Sequence, residues 1–147
     1  MEFITQIFSN YVLCVSLISW FMAQVLKTVL TLILLKKFVP ERLVGAGGMP
    51  SAHSALVCSL TVAVSRLDGI NSVSFAICFI LAGVVMYDAM GVRRAAGEQA
   101  KAINEMRKND NLSPEEKELK EFLGHTPLEV LGGALLGILI ALLIPKF

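Results

Sequence analysis

Long apolar runs constrain this chain more than any other feature of its sequence. A helix needs about 20 mostly apolar residues to cross the hydrocarbon core of a bilayer. Such runs cover residues 11–35, 71–92 and 128–145, and a shorter one covers 52–66. The shorter run is either a short span or a half-helix packed inside the bundle. We predict an all-α, polytopic membrane bundle with about four transmembrane helices in a single domain, residues 1–147.

The composition excludes several other classes of protein. Charged residues make up 17% of the chain, against about 25% in soluble domains. A net charge of +1 provides no basic surface for nucleic acid. The three cysteines, Cys14, Cys58 and Cys78, lie inside apolar runs without metal-ligand spacing. We therefore expect no nucleic-acid partner, disulfide framework, metal site or cofactor.

The distribution of Lys and Arg predicts the orientation in the membrane. Ten of the 13 basic residues lie in the connection between the first two runs or in segment 93–124. Arg66 and Lys146 lie on the opposite side, and Lys27 lies within the first run. Because Lys and Arg mark cytoplasmic loops, both connections should be cytoplasmic and both termini should face outward.

Segment 93–124 has the pattern of a cytoplasmic helical hairpin rather than a linker. Its first part has no strong helix stop, so the third helix should continue through Gln99 and Met106. The sequence 109–111, Asn-Asp-Asn, signals a turn. The sequence 113–116, Ser-Pro-Glu-Glu, then predicts a second capped helix that ends at Gly124.

Three polar clusters border the predicted cytoplasmic ends of the membrane helices, and polar groups at such depths are costly. The first contains Gly47, Gly48, Ser51 and His53. Glycine-rich backbone followed by a helix N-terminus suits an oxyanion such as phosphate. The alternative is a tight turn with Ser51 as a helix cap and an interfacial His53.

The second cluster is His125-Thr126-Pro127-Leu128-Glu129. A spacing of four residues on a helix would let Glu129 hold the imidazole of His125 in one tautomer, as a nucleophilic histidine requires. The same residues also spell a capping box with Thr126 as the cap and Glu129 as its partner. The spacing slightly favours the capping box.

The third cluster joins Asp88 to Arg93 and Arg94. Two arginines at the membrane edge could clamp phosphate oxygens. Alternatively they are topological anchors, with Arg94 paired to Glu98. Asp88 lies inside an apolar run and needs a partner, and Lys27 either reaches the interface or faces the same site.

With these motifs in place, the chain resembles a divergent branch of the type 2 phosphatidic-acid phosphatase and vanadium haloperoxidase superfamily. The resemblance rests on four ordered blocks, which are residues 23–27, 47–55, 87–94 and 123–130. It implies that His125 attacks phosphorus, that Glu129 orients it, and that His53 protonates the leaving alcohol. Lys27, Ser51 and an arginine would neutralise the phosphate.

The pattern of the wider superfamily has an arginine six residues before the nucleophile, where this chain has Leu119. Arg93 or Arg94 would therefore reach the site from another helix. Lipid phosphatases of the superfamily have six spans, so a homodimer would complete a four-span bundle. The branch is found in bacterial cytoplasmic membranes and plastids.

The leading hypothesis is therefore a metal-independent lipid phosphate phosphatase at the cytoplasmic leaflet, with phosphatidylglycerophosphate or phosphatidate as substrate. The alternatives are a small oligomeric transporter or flippase of anionic lipid, in which Lys27 and Asp88 line a pathway, and a degenerate member that binds phospholipid without turnover.

Overall fold

The computed structural model describes residues 2–36, 48–109, 119 and 123–147, and over this part the chain is all-helical. The described residues form six helices, with bounds as follows: α1 Glu2–Phe8, α2 Tyr11–Leu35, α3 Ala52–Asp68, α4 Val73–Met90, α5 Val92–Asn109 and α6 Pro127–Leu143. Helix α1 precedes the first apolar run, where no separate helix was predicted. Gly47 and most of the predicted second hairpin helix lie outside the described residues.

Within the described ranges, two helices are long and apolar enough to cross a membrane by length and composition. One is Tyr11–Ile33 within α2, and the other is Val73–Arg107, which joins α4 to α5. The predicted continuation of the third helix therefore exists, but Gly91 separates its two parts. Helix α6 is apolar over 17 residues, which is shorter.

Helix α3 occupies the centre of the bundle, where it packs against α2, α4 and α6. More than half of its residues are buried, and many of these are Ala, Ser or Thr. Small side chains let neighbouring helices approach closely. The hydroxyls do not remain unpaired, because Ser59 donates to the carbonyl of Leu56 and Thr61 to those of Val57 and Cys78.

Helices α3 and α6 run parallel and touch through glycine. A Cβ atom on Gly133 would lie 2.2 Å from the carbonyl oxygen of Ser51, and one on Gly137 would lie 2.2 Å from that of Ala55. The spacing Gly133-x-x-x-Gly137 is the small-residue motif of closely packed membrane helices. Since both helices start at the same end of the bundle, their N-termini lie side by side.

Helices α2 and α4 run in the opposite direction and bring their C-terminal halves to that same end. Ala23 of α2 packs on Ala52 and Ala55 at the start of α3. Ala89 of α4 accepts a hydrogen bond from the backbone N–H of His125, at 2.9 Å. We call this end of the bundle the site end, because the described candidate residues of all three clusters belong to it.

At the end of the bundle opposite the site end, which we call the far end, Arg66 at the end of α3 joins three helices through hydrogen bonds. Its guanidinium donates to the hydroxyl of Tyr11 at 2.5 Å and to the carbonyl of Ile144 at 2.7 Å, and it also contacts the carbonyl of Ala141. The carbonyls that end α6 have no partner within their own helix. Arg66 therefore caps α6 and ties it to α2 and α3.

Candidate active site

A pocket of about 160 Å³ lies at the site end, and both histidines line it. Its remaining lining residues come from α4, from the start of α5 and from the segment before α6; they are Val84, Val85, Asp88, Ala89, Arg93 and Gly124. Four residues from the predicted clusters, His53, Asp88, Arg93 and His125, therefore meet at one cavity although up to 72 positions of the sequence separate them.

His125 is held rigidly at the pocket by its backbone. Its N–H donates to the carbonyl of Ala89, and the preceding Gly124 lies against the backbone of Arg93 and Arg94. A Cβ on Gly124 would lie 2.4 Å from the nitrogen of Arg94, and its φ of +84° favours glycine. The segment that carries His125 is thus docked on the junction of α4 and α5.

The carboxylate of Glu129 serves both roles that the sequence left as alternatives. Its Oε2 accepts from the backbone N–H of Thr126 at 3.0 Å, which completes a capping box, and lies 3.2 Å from Nδ1 of His125. Because an ionised carboxylate only accepts hydrogen bonds, this contact places the ring proton on Nδ1. The lone pair of Nε2 is then left for chemistry.

The imidazole of His125 is 4% exposed. Burial lowers the pKa of His125 below its ordinary value, because the apolar surroundings disfavour the charged form. The hydrogen bond and charge of Glu129 act against this effect on the pKa, whereas the charges of Lys27 and His53 reinforce it. The net result favours the neutral imidazole, which is the form with a nucleophilic nitrogen.

Two cations act electrostatically on the histidines of the pocket. The side chain of Lys27 is 2% exposed in the interior of the bundle, and its charge acts on both histidines. Arg93 lines the pocket, acts on His53, and donates through Nε to Asp88 at 2.6 Å. Asp88 therefore finds the partner that its position in an apolar run requires, and it fixes the orientation of Arg93.

Two helix N-termini add positive potential beside these cations. Ser51 caps α3 and Thr126 caps α6, and the N–H of Ser51 donates to the carbonyl of Glu129 at 3.0 Å. Each helix start carries roughly half a positive charge. The hydroxyl of Ser51 is fully buried and accepts from Ser54, so its observed role is to cap and to join the two helix starts.

The structure does not bring every predicted residue into the pocket. Arg94 is half exposed and pairs with Glu98 at 3.3 Å, as the alternative interpretation had it. Gly48 has a φ of +84° in the loop before α3, whereas Gly47 lies outside the described residues. Over the described ranges no group of three or more His, Cys, Asp or Glu side chains could hold a metal ion.

Two features were not predicted from the sequence: the apolar residues Val84 and Val85 that line the pocket, and the hydrogen bonds between Asn104 and Leu119. Val84 and Val85 lie one helical turn before Asp88, so helix periodicity would have placed them on its face. Asn104 of α5 is buried, donates to the carbonyl of Leu119 at 2.9 Å and accepts from its N–H at 3.0 Å. No local pattern around Asn104 marks this contact, since Leu119 lies 15 positions further along the chain.

Over the described residues, fold and pocket define a class of all-helical protein in which two histidines, a buried lysine and an arginine converge at one end of an apolar bundle. The model of the divergent PAP2 family matches residues 8–140. The chain is also 38% identical over 155 aligned residues to the "uncharacterized membrane protein YuiD" of Bacillus subtilis (strain 168), covering 97% of this chain and 98% of the relative. No solved structure matches. The chain belongs to the divergent PAP2 family, which places it in the branch that its motifs resemble.

Proposed function

We propose that this protein is an integral membrane phosphatase that hydrolyses a lipid phosphomonoester at the cytoplasmic leaflet without a metal ion. The observation that carries the proposal is the convergence of both histidines with Arg93 on one pocket, under the charge of the buried Lys27. A phosphate monoester is the ligand that such a set of groups complements, because it needs positive charge, a nucleophile and a proton donor.

The first chemical step uses Nε2 of His125, which keeps its lone pair because the contact with Glu129 places the ring proton on Nδ1. Nε2 attacks phosphorus, a P–N bond forms, and the P–O bond to the lipid alcohol breaks. The imidazolium of His53 donates its proton to the departing oxygen. Water then attacks the phosphohistidine, neutral His53 takes a proton from that water, and inorganic phosphate leaves as the P–N bond breaks.

Charge stabilisation would provide the larger part of the catalysis, as in other phosphoryl transfers. Arg93 is held at the pocket by Asp88 and offers its remaining guanidinium nitrogens to phosphate oxygens. Lys27 approaches from α2, and the N-termini of α3 and α6 contribute backbone dipoles. In this proposal Ser51, through the helix start that it caps, and the backbone at Gly48 form the second side of the phosphate site, and Arg94 adds positive charge outside the pocket.

The charge distribution of the sequence supports a cytoplasmic orientation of the site end. The basic residues concentrate in α5, in the segment after it and in the connection before α3, and such segments remain in the cytoplasm. In the proposed topology α2, α3, α4 and α6 cross the membrane and α5 begins the cytoplasmic hairpin. Substrates would then be lipids that display phosphate to the cytoplasm, such as phosphatidylglycerophosphate or phosphatidate.

Phosphate release from these two lipids by the purified protein, with chelator present, tests the proposal. We expect wild type to be active, and His125→Asn and Glu129→Gln to lose about 10²–10⁴-fold in rate. Glu105→Gln is the matched control, since Glu105 is an exposed carboxylate that pairs with Lys101 on α5. ³²P from labelled lipid should be trapped on wild type and not on His125→Asn. Equal turnover by His125→Asn and wild type would exclude the mechanism.

One observation favours lipid transport as a second candidate. Helix α2 carries a row of buried polar side chains that leads from Lys27 toward the far end, through Gln24, Ser19 and Ser16. Ser19 Oγ and Gln24 Oε1 lack hydrogen-bond partners. Reconstituted vesicles distinguish the candidates. A transporter moves fluorescent phosphatidate between leaflets, and its His125→Asn variant does so as fast as wild type. A phosphatase moves no phosphatidate between leaflets, either as wild type or as His125→Asn.

A further inference from the structure

An apolar groove on the outer face of α4 begins where the phosphate pocket ends. Its lining residues are all aliphatic and lie on successive turns of that helix; they are Ala76, Ile77, Ile80, Leu81 and Val84. Val84 also lines the pocket that contains the two histidines. The pocket and the groove therefore adjoin at this side chain.

The groove extends along α4 in the direction that leads away from the site end. Helix α4 starts at Val73 and runs toward the site end, so the groove leads from Val84 past the midpoint of the helix toward its start. Eight residues separate Val84 from Ala76, which corresponds to about 12 Å along a helix. Half of a hydrocarbon core measures about 15 Å. An acyl chain whose headgroup lies at the site end would extend along this path.

The groove faces away from the rest of the bundle. Ile80 is 66% exposed and Val84 is 60% exposed, and the only buried residues of α4 are Ala82 and Ala89. A chain arriving from the surrounding bilayer therefore meets no protein barrier on this face over the described residues.

We infer that the groove on α4 holds an acyl chain of the lipid whose phosphate occupies the pocket, so that substrate enters sideways from the bilayer. This inference rests on the proposed function for the identity of the headgroup. Acyl chains gain little hydrophobic free energy when they move from lipid to a protein groove, since both are apolar. The groove therefore aligns the substrate, and its effect lies in the placement of phosphorus against Nε2 of His125.

Photocross-linking tests occupancy without requiring turnover. The probe is phosphatidate with a diazirine near the end of one acyl chain, presented in phosphatidylcholine nanodiscs to His125→Asn, with Glu129→Gln as a second inactive variant. We expect labelled peptides from segment 76–84, and competition by unlabelled phosphatidate but not by additional phosphatidylcholine. Labelling spread evenly over the exposed faces of α2 and α6 would overturn the inference. So would an efficient disulfide between two copies of Ile80→Cys, because a second copy would then cover the groove.

Chain-length selectivity provides the second test. Ile80→Trp should lower the ratio of kcat/KM for dioleoyl over dihexanoyl phosphatidate by about tenfold or more, because a misplaced chain shifts the phosphate. Ile33→Trp on α2 is the matched control, since Ile33 is 64% exposed and lies outside the groove; its ratio should equal that of wild type. An unchanged ratio in Ile80→Trp would overturn the groove while the phosphatase stands. Groove labelling by a wild type that releases no phosphate would overturn the phosphatase while the groove stands.

Discussion

Replacement of Gly133 by alanine tests whether backbone contact between α3 and α6 builds the site. The added Cβ would lie 2.2 Å from the carbonyl oxygen of Ser51, whereas ordinary contact begins at 3.4 Å. The two helices would have to separate by about 1 Å to relieve this overlap. That movement would stretch the 3.0 Å hydrogen bond between Ser51 and Glu129.

The expected cost follows from three contributions. Overpacking of this kind costs about 1–3 kcal/mol, and the weakened hydrogen bond adds about 1 kcal/mol. The better helix propensity of alanine offsets about 0.5–1 kcal/mol. We therefore expect the free energy of unfolding of Gly133→Ala to fall by about 1–3 kcal/mol, which corresponds to a Tm lower by roughly 3–10 °C for a chain of this size.

Thermal unfolding in detergent micelles measures the effect, with Gly83→Ala as the control. A Cβ on Gly83 would have no atom within 4 Å, so this variant should gain up to about 1 kcal/mol from helix propensity alone. Phosphate release should fall in Gly133→Ala by up to about 10²-fold, because a displacement of about 1 Å misplaces His125 relative to His53. Equal melting temperatures for the two alanine variants would refute the reasoning.

Three further predictions follow from other contacts. Burial keeps the pKa of His125 below its value in the unfolded chain, so the unfolded chain binds more protons between the two pKa values. Wild type should therefore lose stability relative to His125→Gln as the pH falls below 6.5. Chemical unfolding at several pH values measures this, and a difference independent of pH would contradict the burial effect. Arg66→Met should lower the free energy of unfolding by about 1–3 kcal/mol, because the carbonyls that end α6 lose their charged donor. The control Lys101→Met, on the exposed face of α5, should leave the free energy of unfolding unchanged. Equal Tm values for the two variants would contradict the capping role. Asn104→Ala should speed proteolysis of the segment around Leu119 while Asn104→Asp keeps one of the two hydrogen bonds and shows an intermediate rate; limited proteolysis checks this order.

Sequence patterns predicted most helix positions and missed their tightest contacts. The first apolar run and α2 share the bounds 11–35, because a long hydrophobic segment and a cap at Asn10 are local features. Ser51 and Thr126 were recognised as caps for the same reason. The break at Gly91 was missed, since the helical pattern continues on both sides of it.

Several outcomes depended on contacts between distant segments. Sequence spacing could not decide between a capping box and a histidine–carboxylate pair, whereas in three dimensions one oxygen of Glu129 serves both. Likewise, the alternatives for the two arginines separate only in the folded chain, where Arg93 faces the pocket and Arg94 pairs with Glu98. Neighbouring positions on one helix differ by about 100° in direction, and only packing decides which of them faces a cavity.

The sequence by itself determined that the chain forms apolar helices, where most of them begin, and that its histidines stand at helix starts, because hydrophobic runs and caps act within a few residues. Only the tertiary structure decided that these starts lie side by side. The glycines of α6 permit its backbone to touch that of α3, and the return of the chain against α4 carries His125 to a pocket that it shares with His53 and Arg93. That arrangement arises from close approach between segments about 80 residues apart, and no local pattern encodes such an approach.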